Sequence, residues 1–193
     1  MARPSVAEER TRQIIDATIR TIAERGITGA SLDRIAETAG MSRGHVRHFA
    51  GNRETLLRES ARHFYHDGAE RDSILPAGTT DVAGALDHLF GPEFASPGQE
   101  NAVVLGFVEA ARADAALAAL LTDAYTSTHA LLAELLAAEH PAATAEDCAA
   151  VAYGVVGIAL HHVFLSDIAS AATGTAHARE AAERLVATLP AVS

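Results

Sequence analysis

Apolar residues recur every three or four positions through most of the chain, the spacing that places them on one side of an α-helix. Within residues 8–25, for example, Ile14, Ile15, Ile19 and Ile22 share one face. No stretch alternates apolar and polar residues for long enough to predict a strand. We therefore predict an all-α protein of about nine helices.

Glycine and short polar side chains divide this pattern into separate helices. Gly26, Gly40 and Gly51 follow the first three periodic segments, and glycine readily adopts the backbone conformation that closes a helix. Other residues stand just before a periodic segment and carry side chains that accept hydrogen bonds from first-turn N–H groups. These predicted N-caps are Ser31, Ser42, Asn52, Asp114 and Thr144.

The breaks define two predicted domains. An N-terminal three-helix domain covers residues 1–53, and a long fourth helix joins it to a helical body over residues 54–193. The fourth helix is predicted to run from Asn52 to about Leu75, followed by the linker PAGTT at residues 76–80. The other predicted helices cover residues 8–25, 31–39, 42–48, 81–90, 100–112, 114–139, 144–169 and 176–189.

The charge of the chain is unevenly distributed. The formal net charge of the whole protein is −10, yet residues 1–53 contain nine arginines against six acidic residues. The stretch from Met41 to Arg53, MSRGHVRHFAGNR, contains no acid at all. Such asymmetry suggests that the basic end meets an anionic polymer and the acidic body does not. An ordinary, mildly basic surface is the alternative.

Other features of the sequence bound the class of protein. Because 49% of the residues are apolar, the chain can bury a real core. Cys148 is the single cysteine, which rules out an internal disulfide and fits a reducing compartment. The N-terminus lacks the apolar run of a signal peptide, and the most apolar stretch, residues 151–165, is predicted to be too short to span a bilayer. We expect a soluble, cytoplasmic protein.

The spacing of small residues between the second and third helices is that of a DNA-binding helix-turn-helix. In IAETAGMSRGHV, Ala36 precedes Gly40 by four residues and Val46 follows Gly40 by six. The small Ala36 allows the two helices to approach closely, and Gly40 supplies the turn conformation. Ile35, Met41 and Val46 close the small core between the helices.

Together with the preceding amphipathic helix and the following GNRETLL, this motif resembles the TetR family of transcriptional regulators. The resemblance covers residues 12–57, about a quarter of the chain, and the remainder is similar in helix number and length. It implies a homodimer whose N-terminal domain binds double-stranded operator DNA and whose C-terminal body binds a small molecule and forms the dimer. Ligand binding would then move the fourth helix and weaken the grip on DNA.

The resemblance also assigns residues to DNA contacts. The third helix would enter the major groove, and residues flanking it would hold phosphates. Arg53 starts a helix, where backbone N–H groups already favour an anion. The implied groove-facing residues are Ser42, Arg43, Gly44, His45, Arg47 and His48, and the implied phosphate-binding residues are Ser31, Arg34 and Arg53.

Two positions depart from the family pattern. Arg47 stands where the family usually has Tyr, and Ala50 stands where an aromatic residue often precedes the turn. Arg53 replaces the usual Lys and keeps its charge. An arginine at position 47 gains the option of a bidentate contact to guanine. We expect operator preference and anchoring of the third helix to differ from relatives at these two positions.

In the C-terminal body the resemblance implies a pocket walled by the sixth, seventh and eighth helices, suited to a largely apolar small molecule. The dimer would form through the eighth and ninth helices, whose small residues allow close packing; packing within one subunit is the alternative. The implied ligand-binding residues are Phe107, Tyr125, His129, Tyr153, Val156 and His161. The implied dimer residues are Ala149, Ala152, Val156, Gly157, Leu160, Phe164, Ala178, Ala181, Leu185 and Val186.

Other chemistries have weaker support in the sequence. Glu59, His63, His66 and Glu70 line one face of the fourth helix and have side chains that can bind a metal, but a solvated face with local ion pairs is the simpler interpretation. No phosphate-binding loop or catalytic Ser/His/Asp set is recognisable, so we expect neither an enzyme nor a cofactor. The leading prediction is a repressor released by its ligand. The alternatives are a helical enzyme or ligand carrier with an unused DNA-binding head, and an activator or global nucleoid-type regulator.

Overall fold

The computed structural model describes residues 5–65, 73–95, 99–168 and 174–190, and these ranges contain helices but no strand. The predicted all-α fold is therefore confirmed. Nine of the helices correspond to the predicted ones, and α6 is a single turn within a segment that was predicted as a break. The helices are α1 (Val6–Gly29), α2 (Leu32–Ala39), α3 (Arg43–Ala50), α4 (Arg53–Tyr65), α5 (Val82–Leu89), α6 (Pro92–Ala95), α7 (Gln99–Ala111), α8 (Ala115–Glu139), α9 (Ala145–Ile168) and α10 (Thr175–Val186).

Side-chain caps begin the helices where the sequence predicted them. At each predicted cap a side-chain oxygen accepts a hydrogen bond from a first-turn backbone N–H. This N–H group has no acceptor within the helix itself. Among the described helices the sequence missed two caps. Ser5 forms a capping box with Glu8 and starts α1 at Val6, and Asp81 accepts a hydrogen bond from the Gly84 N–H at the start of α5. The five confirmed caps are Ser31, Ser42, Asn52, Asp114 and Thr144.

Two predicted helix ends differ in the structure. Gly26 has φ 68° and ψ 171°, which kinks α1, but one further turn follows and the helix ends at Gly29. The predicted end of the fourth helix at Leu75 is wrong, because residues 73–75 are not helical. The Ile74 N–H donates instead to Thr128 Oγ1, at 2.9 Å, so a side chain replaces a helical acceptor.

The chain packs as two compact units. Unit 1 contains Met1–Asp67 and Gln99–Thr122, and unit 2 contains Gly68–Gly98 and Asp123–Ser193. This division differs from the predicted boundary after residue 53. The reason is that α4 and α7 pack against α1, which also packs against α2 and α3, and the first turns of α8 belong to the same unit.

In unit 1 an ion pair joins α4 to the start of α8. Arg58 Nε donates to both carboxylate oxygens of Asp114, at 2.8 and 3.1 Å. The same carboxylate caps α8 by accepting from the N–H groups of Ala116 and Leu117. The hydrogen bond from Arg58, followed by that from the Leu117 N–H, lowers the pKa of Asp114. Asp114 is therefore ionised at neutral pH, and its carboxylate binds Arg58 of α4 and the first turn of α8 at the same time.

Close packing of α7 against α1 depends on Gly106. A Cβ atom at this position would lie 2.7 Å from Ile22 Cγ2 and 3.5 Å from Ile27 Cβ. We expect Gly106→Ala to lower the free energy of unfolding by about 1–3 kcal/mol through overpacking, measured by urea denaturation. Gly44→Ala is the matched control, since a Cβ there makes only an ordinary 3.8 Å contact. Equal stability of the two variants would contradict the close approach at Gly106.

Unit 2 has its own core, formed by α5, the later part of α8, α9 and α10. Its most buried large side chains include Leu89, Leu132, Leu136 and Val155, each fully enclosed. Cys148 lies in the same core with 1% of its surface exposed, as expected for a small apolar residue. This core therefore closes without the residues of unit 1.

The α9 helix is apolar on most of its circumference. Over Ala145–Ser166 its mean hydropathy is 1.8, so length and composition alone would allow it to cross a membrane, and the expectation that this stretch is too short was wrong. Core helices of soluble proteins have the same composition, but only 33% of the window is buried here. The outward surface includes what we call the α9 stripe: Gly157, Phe164 and Leu165.

Candidate DNA-binding surface

The turn between α2 and α3 is built on Gly40. Its φ of 65° and ψ of 33° are left-handed, a conformation that glycine adopts without steric cost. The N–H of Met41 donates to the carbonyl of Ala36 at 2.9 Å, which closes the turn. Ile35 and Val46 are fully buried between the two helices. The predicted helix-turn-helix geometry follows from these contacts.

The outward face of α3 carries every residue predicted to enter the groove. Val46 alone among the residues of its first turns is fully buried, and its neighbours along the helix point to solvent. Within the part of the chain that the structure describes, the side chains of His45 and Arg47 form no hydrogen bond or ion pair. They are therefore available to a partner. The exposed set is Ser42, Arg43, Gly44, His45, Arg47 and His48.

Arg43 differs from the other α3 residues because it has an internal acidic partner. Its guanidinium lies 3.1 Å from the carboxylate of Asp33 on α2, and 61% and 65% of the two side chains are exposed. An ion pair this exposed contributes little to stability and is screened by salt. A phosphate can therefore displace Asp33 at low cost. The sequence did not predict this pairing.

The three predicted phosphate-binding residues occupy different environments. Ser31 is half-buried, and its hydroxyl caps α2. Arg34 is exposed and makes one long hydrogen bond, 3.4 Å, to the carbonyl of Gly29. Arg53 is half-buried and donates to the carbonyls of Ile27 and Ala30. Only Arg34 therefore presents a largely free positive charge.

The predicted ligand-binding residues belong to both compact units. In unit 2 the rings of His129 and Tyr153 lie 5.3 Å apart, and Tyr125 precedes His129 by one turn of α8. Burial lowers the pKa of His129, so its ring is uncharged at neutral pH. Phe107 instead lies in the core of unit 1, where its ring is 6.0 Å from that of Phe64.

The remaining predicted residues of α9 face opposite directions. Val156 is fully buried and belongs to the core of unit 2, whereas 69% of Tyr153 is exposed and His161 is also exposed. His162 is half-buried, and its Nε2 atom lies 2.9 Å from Oγ1 of Thr175 on α10. Among the predicted dimer residues, Ala152 and Val156 therefore pack within the protomer, and Ala149, Gly157, Phe164 and Ala181 are exposed.

The described residues on the histidine face of α4 make local contacts with charged side chains. Glu59 pairs with Arg62, and His63 Nε2 lies 3.8 Å from Asp16 of α1. His66 and Glu70, the other two residues considered as metal ligands, lie outside the described residues. Across the described ranges no cluster of three or more His, Cys, Asp or Glu residues is placed to hold a metal ion.

Comparison with known families agrees with this geometry. Residues 14–60 match the family of bacterial regulatory proteins named tetR. Residues 79–187, more than half of the chain, match the C-terminal part of BetI-type transcriptional repressors. The chain belongs to the TetR family. The proteins of the TetR family are regulators of transcription rather than enzymes.

Sequence relatives within the TetR family are similar over about a third of the chain. The transcriptional regulators BetI of Burkholderia thailandensis and Burkholderia cenocepacia are each 39% identical to this chain over 67 residues. The aligned part covers 35% of this chain and 34% of each relative, about a third of their length. The match of residues 79–187 to the C-terminal part of BetI-type repressors extends the family assignment beyond these alignments.

Solved TetR-like structures are similar over almost the whole chain. A transcriptional regulator from Rhodococcus sp. RHA1 has a TM-score of 0.73 at 16% identity, covering 93% of this chain and 95% of its own. A putative regulator from Saccharomonospora viridis in complex with choline has a TM-score of 0.71 at 17% identity, with coverages of 93% and 96%. The multidrug binding protein EbrR complexed with malachite green has a TM-score of 0.60 at 20% identity, with coverages of 94% and 99%. At these identities the likeness shows the TetR fold.

Gly44 offers a test of how closely this TetR protein approaches DNA. A Cβ there fits without a clash, and alanine favours a helix over glycine by up to about 1 kcal/mol. We therefore expect Gly44→Ala to leave thermal stability unchanged or higher. The added methyl group would hold α3 away from the base edges and lower operator affinity by about 1–3 kcal/mol in a fluorescence anisotropy titration. Unchanged affinity would show that the backbone at Gly44 does not approach DNA.

Proposed function

We propose that the protein is a repressor that binds operator DNA as a homodimer, with α3 in the major groove, and that a small organic molecule bound by the C-terminal helices releases it. The observation that carries the proposal is the outward face of α3. It is exposed, contains no acid, and presents His45 and Arg47 without internal partners in the described structure. Such side chains are suited to base edges and phosphates.

The overall charge supports the same orientation. Residues 54–193 contain far more acidic residues than arginines, whereas residues 1–53 have an arginine excess. A polyanion such as DNA is repelled by the acidic residues 54–193 and attracted by the basic residues 1–53. The basic residues of α3 and the exposed Arg34 of α2 therefore mark the side of the molecule that approaches DNA.

The α9 stripe supports dimerisation. Phe164 and Leu165 expose 48% and 44% of their surfaces in the isolated protomer. A second copy of the same surface would bury them in a symmetric interface. Two linked helix-turn-helix heads can then read two half-sites of a palindromic operator.

The effector is proposed to be a small, largely apolar organic molecule. Two similar folds hold organic ligands, choline in the Saccharomonospora viridis regulator and malachite green in EbrR. In this chain His129 and Tyr153 offer two rings in contact, and the uncharged His129 does not repel a cationic ligand. Aromatic faces accept both apolar groups and organic cations.

A binding experiment tests the proposal. Fluorescence anisotropy would compare the DNA upstream of the protein's own gene with an unrelated duplex of equal length and base composition. We expect tighter binding to the upstream fragment and a steep loss of affinity between about 50 and 200 mM salt, because counterions are released from phosphates. A library of small organic molecules is then screened for release. Equal affinity for both duplexes, or affinity independent of salt, would refute the proposal.

A further inference from the structure

The helical turn at the end of α1 leaves carbonyl groups that need donors. Ile27 to Gly29 forms a last turn after the kink at Gly26, and Ala30 then leaves the helix with φ −80° and ψ 68°. Carbonyl oxygens at a helix C-terminus have no intrahelical partner and carry a partial negative charge. Ala30 itself is fully buried, so its carbonyl has little access to water.

Arg53 supplies donors to this turn. Its Nε donates to Ala30 O at 2.8 Å, and a terminal guanidinium nitrogen donates to Ile27 O at 2.5 Å. In the described ranges no backbone N–H donates to Ala30 O. We call these two hydrogen bonds the Arg53 bridge. Hydrogen bonds from a charged donor to a buried carbonyl are among the stronger ones in proteins.

The Arg53 bridge joins the two ends of the helix-turn-helix. Ala30 is followed by Ser31, the N-cap of α2, and Arg53 is the first residue of α4, which follows α3 after a two-residue turn. The bridge therefore ties the entry of α2 to the exit of α3. The planar guanidinium donates to both carbonyls from two nitrogens in a fixed relative position, a geometry that the single nitrogen of a lysine side chain does not reproduce.

We propose that Arg53 is a positioning residue for DNA recognition: through the bridge to Ile27 and Ala30 it sets the orientation of α3, and the phosphates are held by other residues. This inference rests on the proposed function. Loss of the bridge lets α3 tilt relative to α2, which disturbs contacts to base edges more than contacts to phosphates. A positioning role and a phosphate contact therefore predict different changes in binding.

Arg53→Ala tests the proposal with three readouts: affinity for the operator fragment, affinity for the unrelated duplex, and the slope of log affinity against log salt. All are measured where circular dichroism shows the protein fully folded. We expect operator affinity to fall about tenfold, with non-specific affinity within about twofold and the slope unchanged. Arg34→Ala is the control, since Arg34 is exposed and makes a single long internal hydrogen bond. It should weaken both duplexes alike and reduce the slope by about one.

Two other outcomes would overturn the proposal. A uniform loss on both duplexes with a smaller slope would make Arg53 a phosphate contact. A lower melting temperature with unchanged affinities would make it a purely structural residue. If Arg53→Ala does not fold, Arg53→Lys decides, because lysine keeps the charge but loses the rigid pair of guanidinium donors that holds both carbonyls in this geometry. Reduced preference for the operator supports positioning, and wild-type binding refutes it. If the unmodified protein shows no operator preference, the proposed function fails and this inference fails with it.

Discussion

Phe164→Glu is expected to convert the proposed dimer into a monomer and to lower operator affinity by at least about a hundredfold. Phe164 belongs to the exposed α9 stripe, and 48% of its surface is free in the protomer. A carboxylate buried without a partner in a symmetric interface is strongly unfavourable. Separating the two heads also removes the effective concentration that links binding of two half-sites, which is worth about 10²–10⁴ in affinity.

Light scattering coupled to gel filtration, at micromolar protein, measures the mass of this variant. Val6→Glu is the matched control: Val6 is 73% exposed in the first turn of α1, where a carboxylate suits the helix dipole. The control should remain dimeric. A dimeric Phe164→Glu variant, or a monomeric wild-type protein, would refute the role of the stripe. We expect the variant to stay folded, because Phe164 is not part of the described core of unit 2. Unfolding curves check this.

Arg47→Ala is expected to weaken operator binding by about 1–3 kcal/mol and to relax base preference at the position it reads. The folded state should not suffer, because Arg47 is exposed and its side chain has no hydrogen-bond or ion-pair partner in the described structure. Anisotropy titrations against operator variants with single base-pair changes measure both quantities. Unchanged operator affinity would show that Arg47 makes no contact with DNA.

Two further variants sharpen this result. Arg184→Ala removes the same charge from α10, where Arg184 pairs with Glu180 and 78% of its side chain is exposed; it should leave operator affinity unchanged. Arg47→Lys keeps the charge but loses the bidentate donor pair that suits guanine. Loss of base preference in the lysine variant indicates guanine recognition, and retained preference indicates a phosphate contact.

The local features of this fold were predictable because their causes are local. A cap needs one side-chain oxygen and an N–H two or three residues away, so Ser31, Ser42 and Asn52 could be recognised from sequence. The turn at Gly40 likewise depends on a single residue that tolerates a left-handed backbone. The helix-turn-helix and the exposed face of α3 followed from these positions and from the spacing of Ile35 and Val46.

The orientation of α9 could not be predicted in the same way. Its apolar residues surround the helix, so periodicity does not identify the side that faces the core. Tyr153 and Val156 were both expected at a ligand pocket, yet one is largely exposed and the other fully buried. The assignment of Phe107 depended on resemblance, and the structure places its ring against Phe64 in the core of unit 1.

The partners of the arginines were also hidden from the sequence. Arg53 reaches carbonyls 23 and 26 residues earlier, and Arg43 reaches an acid 10 residues earlier. The sequence identified both as cations near a helix start and predicted phosphate or base contacts for them. Whether a cation is free or already engaged depends on tertiary packing, which no local pattern records.

Asp114 makes the middle of α4 and the start of α8 share one carboxylate. If a displacement of α4 draws Arg58 away, the carboxylate of Asp114 is held by backbone N–H groups alone. If the first turn of α8 loosens, the carboxylate is held less firmly in place and binds Arg58 more weakly. The two events therefore have a coupling free energy, and thermodynamic linkage makes that coupling reciprocal. Whatever shifts α4 along its axis must also change the fraying equilibrium of α8, and a change that tightens the first turn of α8 must resist movement of α4.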